Sequence, residues 1–398
     1  MKAGWDVRPL GELCRIELGS TPSRSHSGYW DTKRETNNVW LSIADLPQAL
    51  HGVAMDSKEY VSDIAAANMR LIPEGTLLAS FKLTLGRLAY AGRDLFTNEA
   101  IASFYSIAED RLSKRFLYWA LTAFDWDKAA EGDEKVKGKT LNKAKLKLVP
   151  IPLPPLEEQQ RIVAVLDEAF EGLARARTHA ETNLQNAREL FESIKANALD
   201  YNGLDRKTVV LSDVAEVTSG LVDPREAAYA DLPHIGAGNM ITGSDELVGV
   251  MTAREEKLIS GKYLFDETMV LYSKIRPYLR KAARPDFRGL CSADVYPVKP
   301  VNAVLDRDFL FHLLLGHDFT EYAIQGSDRA GMPKVNRNHM FAYSFDLPPL
   351  KEQQNIAKVI DAAHIECQQL AELANAKVQS LDALRQSLLQ KAFAGELT

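Results

Sequence analysis

The sequence predicts an α+β protein with an internal two-fold repeat: two globular mixed α/β domains separated by two long antiparallel helices that form a coiled coil. Three observations carry this expectation. The words LPPLEEQQ at residues 153–160 return as LPPLKEQQ at residues 347–354, 194 positions later. Each copy precedes a long proline-free run with seven-residue apolar periodicity. Each is also preceded by a stretch rich in short strand-like segments. The expected order is a globular domain over residues 1–151, a helical segment over 152–201, a second globular domain over 202–345 and a second helical segment over 346–398.

The repeat reaches beyond the quoted words. Asn142 stands opposite Asn336, and Lys143 opposite Arg337, in the same register. LSIADL at residues 41–46 aligns with IGAGNM at 235–240, and LLASFK at 77–82 resembles VLYSKI at 270–275. A period this long indicates a duplicated domain, not a solenoid. In the first globular domain TLLASF, RLAYAG and AIASFYSI read as strands; in the second, MVLYSKI and ADVYPVKP do. LKLVPIPL and FAYSFDL are extended runs leading into the two Pro-Pro signals. Residues 113–124 and 306–316 have helical spacing.

Proline suits the first turn of a helix and disrupts its interior, so Pro155 and Pro349 mark helix starts. In the first helix the apolar stripe runs through Val163, Phe170, Leu184 and Phe191, with Leu166, Leu173 and Ile194 three residues on and Arg177 as the one break. In the second it runs through Ile360, Cys367, Ala374, Leu381 and Leu388, with Ile356, Ala363, Leu370, Lys377 and Leu384 four residues before each. Helices of this length would extend about 60 Å. Val165, Ala169, Val359 and Leu373 fall outside the stripe and are candidates for contact with partner helices.

Composition narrows the class. The chain has 398 residues and a net charge of −6. No apolar run approaches the roughly 18 residues of a membrane helix. The first residues lack the apolar core of a secretion signal. Cys14, Cys291 and Cys367 are widely separated, which suits a reducing, cytoplasmic setting and makes no thiolate metal site. The eight histidines show no metal-ligand spacing. No P-loop pattern occurs, nor the Asn/Asp-Pro-Pro-aromatic motif with which an amino-methyltransferase holds a flipped adenine. Residues 133–135, Asp-Glu-Lys, read as a solvated loop and not as part of a nuclease centre.

The two words with their continuations, LPPLEEQQRIVAVLDEAF and LPPLKEQQNIAKVIDAAH, resemble the conserved-region entry of type I restriction–modification specificity subunits. The final LRQSLLQKAFAGELT resembles that family's ending, and GSTPSR before GYW and VWLSIADL resembles the start of a target recognition domain. The resemblance implies that each globular domain reads one part of a split double-stranded DNA target. The helices fix the unread spacer and dock two modification subunits, and restriction subunits join the complex. It implies no catalytic site and no cofactor in this chain; S-adenosylmethionine, ATP and Mg2+ belong to the partner subunits. The rival reading is a coiled-coil scaffold that bridges proteins without reading DNA.

Phosphate contacts supply affinity and base edges supply specificity, so Lys, Arg, Asn and hydroxyl side chains in loops are the candidates. Three places per half qualify. The first is Ser20, Thr21, Ser23 and Arg24, matched by Ser219 and the stretch to Arg225. The second is Ser80, Lys82, Thr84 and Arg87, matched by Ser273, Lys274, Arg276, Tyr278 and Arg280. The third is Lys137, Lys139, Thr140 and Asn142, matched by Arg329, Lys334 and Asn336.

Overall fold

The computed structural model describes residues 4–131, 134–135, 138–200, 207–217, 220–327 and 333–397; side chains of residues 134, 135, 138 and 139 are not described. The chain divides into two compact units, residues 1–181 with 376–398, and residues 182–375.

The first unit contains a five-stranded sheet in the order Arg15–Leu18, Ile101–Tyr105, Leu77–Ser80, Leu88–Ala91, Val53–Ala54. All neighbours are antiparallel except the last pair. A smaller sheet places Val39–Leu41 between Glu59–Tyr60 and Phe96–Thr97. The second unit has a four-stranded antiparallel sheet, Ala215–Glu216, Val295–Pro300, Val270–Ser273, Ala282–Ala283. It also has a mixed sheet, Leu221–Val222, Lys262–Phe265, Gly289–Cys291, Pro233–Ile235, Met251–Thr252.

The sequence repeat is a structural repeat. Trp40 pairs with Phe96 in a parallel bridge, and His234 with Leu290 in another, each partner 194 residues from its counterpart. The extended runs before the Pro-Pro signals close each unit. Pro150–Leu153 pairs with Asp6–Pro9, and Ser344–Leu347 with Lys207–Val210. The expected helices run Lys114–Ala123 and Arg307–Leu314. Glu134–Lys135 pairs with Gly138–Lys139, so part of the stretch expected as a loop is a short hairpin; Asp133 lies outside the described residues.

Leu156–Leu199 and Leu350–Ala394 are single helices starting one residue after Pro155 and Pro349. Each unit's core takes in the start of one and the end of the other. In the first unit Ile162, Val163, Leu166 and Phe170 join Ala392, Leu388 and Phe393 in the core. In the second, Ile356 and Ile360 join Phe191 and Ala198. The helices are antiparallel within the first unit, where Phe170 lies under Arg385 and Arg177 bonds Asp382 at 2.6 Å.

The first helix buries its stripe as expected: Val163, Leu166, Phe170, Ala180 and Ala187 are buried, and Leu173, Leu184, Phe191 and Ile194 partly so. The second departs from expectation at Leu370 and Leu384, which are 49% and 48% exposed. Ile360, Cys367, Ala374, Leu381 and Leu388 do face inward. Ile356 and Ala363 are buried as expected, but beyond them, with Lys377 also exposed, the inward companions are Ala371, Val378 and Ala392, four residues after Cys367, Ala374 and Leu388. Those are small side chains, so Leu370 and Leu384 drew the periodicity one residue off. Val165, Val359 and Leu373 are exposed, as expected for positions outside the stripe.

The repeated words are explained by one side chain. Gln159 and Gln353, the first glutamine of each QQ, are fully buried. The Gln159 amide oxygen accepts from the Ser113 N–H at 2.9 Å, and its nitrogen donates to the Arg111 and Pro154 carbonyls at 2.7 and 2.8 Å. Gln353 does the same with the Asp306 N–H at 2.7 Å and the Val304 and Pro348 carbonyls, both at 2.9 Å. Ser113 and Asp306 are the N-caps of the two domain helices. Each glutamine therefore staples the start of a long helix to the start of a domain helix. Only an amide has both the acceptor and the two donors this requires.

Candidate nucleic-acid interface

Within each unit the second and third candidate places come together. In the first, the turn after Leu77–Ser80 bridges the later loop through Lys82 and Thr140, and the Leu141 N–H donates to the Phe81 carbonyl at 3.0 Å. In the second, Ile275 bridges Lys334, and the Val335 N–H donates to the Lys274 carbonyl at 2.9 Å. The first place joins the same surface in the first unit. Thr21 bonds Glu99, whose carboxyl that bond, together with the fields of Lys82 and Arg24, holds below the usual range.

The loop of residues 19–24 is pinned from several sides. A Cβ on Gly19 would lie 2.1 Å from the Thr97 carbonyl oxygen, so only glycine fits there. The Trp40 indole donates to the Ser20 carbonyl at 3.0 Å and the Trp30 indole to the Ser23 carbonyl at 3.1 Å. The Ser23 hydroxyl sits 2.9 Å from that of Ser25. Arg24 lies 3.9 Å over the Trp30 ring and is held by Glu59.

The second unit uses an acid in the same place. Asp294 pairs with Lys274 at 3.3 Å and Lys334 at 3.2 Å. Burial would raise its carboxyl, but hydrogen bonds from Lys334 and Lys274 outweigh burial and lower it. Arg280 pairs with Glu192 at 3.1 Å, and Tyr278 is exposed. Arg225 is occupied locally by Asp223 at 2.7 Å.

Several candidates are corrected. Ser80 and Ser273 are buried. The Ser80 hydroxyl donates to the Thr84 carbonyl at 2.5 Å and accepts from the Arg87 N–H at 3.0 Å; that of Ser273 donates to the Ile275 carbonyl at 3.4 Å. They shape the turns and do not face a ligand. Arg87 donates to the Ile43 carbonyl at 3.1 Å, which ties its guanidinium to the domain. Asn142 and Asn336 are N-caps, each accepting a backbone N–H at 2.8 Å from Lys145 and His339. Lys137, Ser219 and Arg329 lie outside the described residues, and only the backbone of Lys139 is described. Exposed and cationic or polar at this surface are Ser20, Thr21, Ser23, Arg24, Thr84, Asn142, Arg276, Lys334 and Asn336, with Lys82, Thr140, Lys274 and Arg280 in part.

Sequence reading missed the carboxylates that organise both surfaces and both junctions. Asp167 accepts from the Trp119 indole at 2.9 Å and Arg115 at 2.7 Å, and faces His51 at 2.8 Å. Asp361, 194 residues later, accepts from Arg284 at 2.6 Å and faces His312 at 2.9 Å. Burial would raise the Asp361 carboxyl; the hydrogen bonds from His312 and Arg284 hold it well below its ordinary value instead. Their matching places in VLDEAF and VIDAAH were the available signal. Glu99 and Asp294 stand near the same repeat offset without any surrounding word in common.

Among the described residues, no group of three or more His, Cys, Asp or Glu side chains is arranged to hold a metal, and no helix is long and apolar enough to cross a membrane.

The family model described as the type I restriction modification DNA specificity domain matches residues 2–180 and again 204–379. The chain belongs to this family. It is 33% identical to the type I restriction enzyme EcoDI specificity subunit of Escherichia coli over 46% of this chain, a match spanning only 40% of that subunit's length. It is 25% identical to the MjaIX specificity subunit of Methanocaldococcus jannaschii, over 70% of this chain and 68% of that one. A solved chain of a type I R-M system superposes with a TM-score of 0.77 at 18% identity, covering 100% of this chain and 99% of the other. The HsdS subunit from Thermoanaerobacter tengcongensis gives 0.63 at 17% identity, covering 100% and 98%. These likenesses support the duplicated α+β fold.

Proposed function

We propose that this chain is the non-catalytic DNA-reading subunit of a type I restriction–modification complex. Each unit reads one part of a split double-stranded target, and the long helices set the unread spacer. Two modification subunits dock on the helices through apolar side chains such as Val359 and Leu373, and restriction subunits complete the assembly. Adenine N6-methylation draws on S-adenosylmethionine, and translocation and cleavage on ATP and Mg2+, all held by those partners. The complex works on cytoplasmic DNA. The observation that carries this reading is the pairing of one repeated junction with two different cationic turn surfaces. A scaffold that never touched DNA would have no use for Lys82 and Thr140, or Ile275 and Lys334, bridged into the same place twice.

Modified-base sequencing of host DNA with the gene intact and deleted tests the proposal. A split motif carrying N6-methyladenine should disappear on deletion. An unchanged methylome, together with failure of this chain to co-purify with the neighbouring methyltransferase, rejects it.

A further inference from the structure

Both units expose an apolar side chain at the same turn. Leu83 is 54% exposed and Tyr278 52% exposed, each at the turn after the strand that ends in Ser80 or Ser273. Cations flank both: Lys82 beside Leu83, and Lys274, Arg276 and Arg280 around Tyr278. The backbone is forced in both. Leu83 has φ +63°, and Arg276 and Arg280 have φ +49° and +45°. Left-handed backbone is unfavourable for such residues, and it persists where surrounding structure over-determines it, often at functional sites.

The surroundings do over-determine it. In the first turn Ser80 bonds both the Thr84 carbonyl and the Arg87 N–H, and the Gly86 N–H donates to the Ser80 carbonyl at 2.9 Å. Gly86 itself has φ +72°, and a Cβ there would meet the Trp126 ring at 2.4 Å. In the second, the Arg276 N–H donates to the Pro333 carbonyl at 2.8 Å, and Arg280 is anchored by Glu192. Neither turn can fold its apolar tip away. A leucine has no polar atom with which to meet a phosphate or a base edge. On a cationic rim that draws the turn onto DNA, its fitting surface is the apolar face of a base step, and an aromatic ring suits the same surface.

We propose that Leu83 and Tyr278 are wedge residues that insert at a base step, one in each half of the target, while the neighbouring cations hold phosphates. This rests on the DNA-reading function proposed above. It names residues that distort the duplex, and with them the step preference of each half-site through its ease of unstacking.

The test uses the full-length chain purified with its modification subunit, on a duplex carrying the target found by modified-base sequencing. 2-Aminopurine is placed in turn at each step of both half-sites, away from the methylated adenine. The wild-type complex should brighten one step in each half. Leu83→Ala should abolish one signal and Tyr278→Ala the other, each weakening target binding about tenfold. Leu83→Phe and Tyr278→Phe should retain both signals, which separates insertion from loss of the fold. No brightening with the wild type, or signals that survive both alanines, would overturn the proposal. If the wild-type complex binds no split target at all, the function proposed above fails instead, before any variant is made.

Discussion

The two units agree where they grip the helices and differ where they face outward. Gln159 and Gln353 make the same three bonds to the same kinds of partner. Asn142 and Asn336 cap equivalent short helices. Asp167 and Asp361 each gather an arginine and a histidine. By contrast, Arg24 stacked on Trp30 has no counterpart at Arg225, which turns back to Asp223. Leu83 is answered by a tyrosine in a short 3-10 turn. A duplicated domain keeps the side chains that define its attachment and changes those that define its contacts. The sharpest way to break this comparison is to cut the shared attachments and ask whether the two units lose the same amount.

The glutamine staple should show the largest effect. Gln159→Ala or Gln353→Ala leaves one buried carbonyl, one partly buried carbonyl and a partly buried N–H without a partner, at up to about 1–3 kcal/mol for each such group. Each variant should lose on the order of 3 kcal/mol or more in urea unfolding, by similar amounts in the two units. A substantially smaller loss in one unit would show that water or a neighbouring group replaces its amide there, and that the two junctions are not equivalent.

That staple could not be read from the sequence as a staple, although the words containing it were the clearest signal in the chain. Repetition marked residues 153–160 and 347–354, but only three-dimensional placement brings the Ser113 and Asp306 N–H groups to the amides. The helix starts were legible because proline's fixed φ and missing N–H act locally. The first stripe was legible because Leu166, Phe170 and Leu173 dominate their surroundings. The second was legible as far as Ala363, and was read one residue off beyond it because the inward positions Ala371 and Val378 are smaller than the exposed Leu370 and Leu384. At the candidate interface, the basic residues announce themselves by type. Glu99 and Asp294 do not, since their effect depends on cations that arrive from distant parts of the chain.

The aspartates sharpen the comparison in the opposite direction, because here the units should differ. Arg284 is the more enclosed arginine, with its side chain 15% exposed, and it also meets Asp245 and Asp308. Arg115 is 58% exposed. Asp361→Asn removes the charge opposite a largely buried guanidinium and His312, so its cost should be about 2 kcal/mol, the remaining carboxylates limiting it. Asp167→Asn leaves Arg115 free to turn to solvent, and its cost should be about 1 kcal/mol. Denaturant unfolding of both variants checks the order. Equal losses would mean that burial of the arginine is not what sets the value of the carboxylate.

The smallest effect concerns a group that one unit has and the other lacks. Lys195 is buried in the second unit, with its ammonium donating to the Leu315 carbonyl at 2.8 Å; the matching place in the repeat is Leu389. Burial pulls the Lys195 ammonium down to about 8, with the nearby Glu192 opposing the shift and Arg280 adding to it. Between pH 8 and the ordinary lysine range, the unfolded chain holds a proton here that the folded chain has released. Stability contributed through this group therefore rises with pH across that window, and below it the buried charge is a standing cost. The wild type should gain stability relative to Lys195→Met as pH is raised from 8 to 10, read as a change in their Tm difference. A difference that stays flat would place Lys195's titration where an exposed lysine titrates.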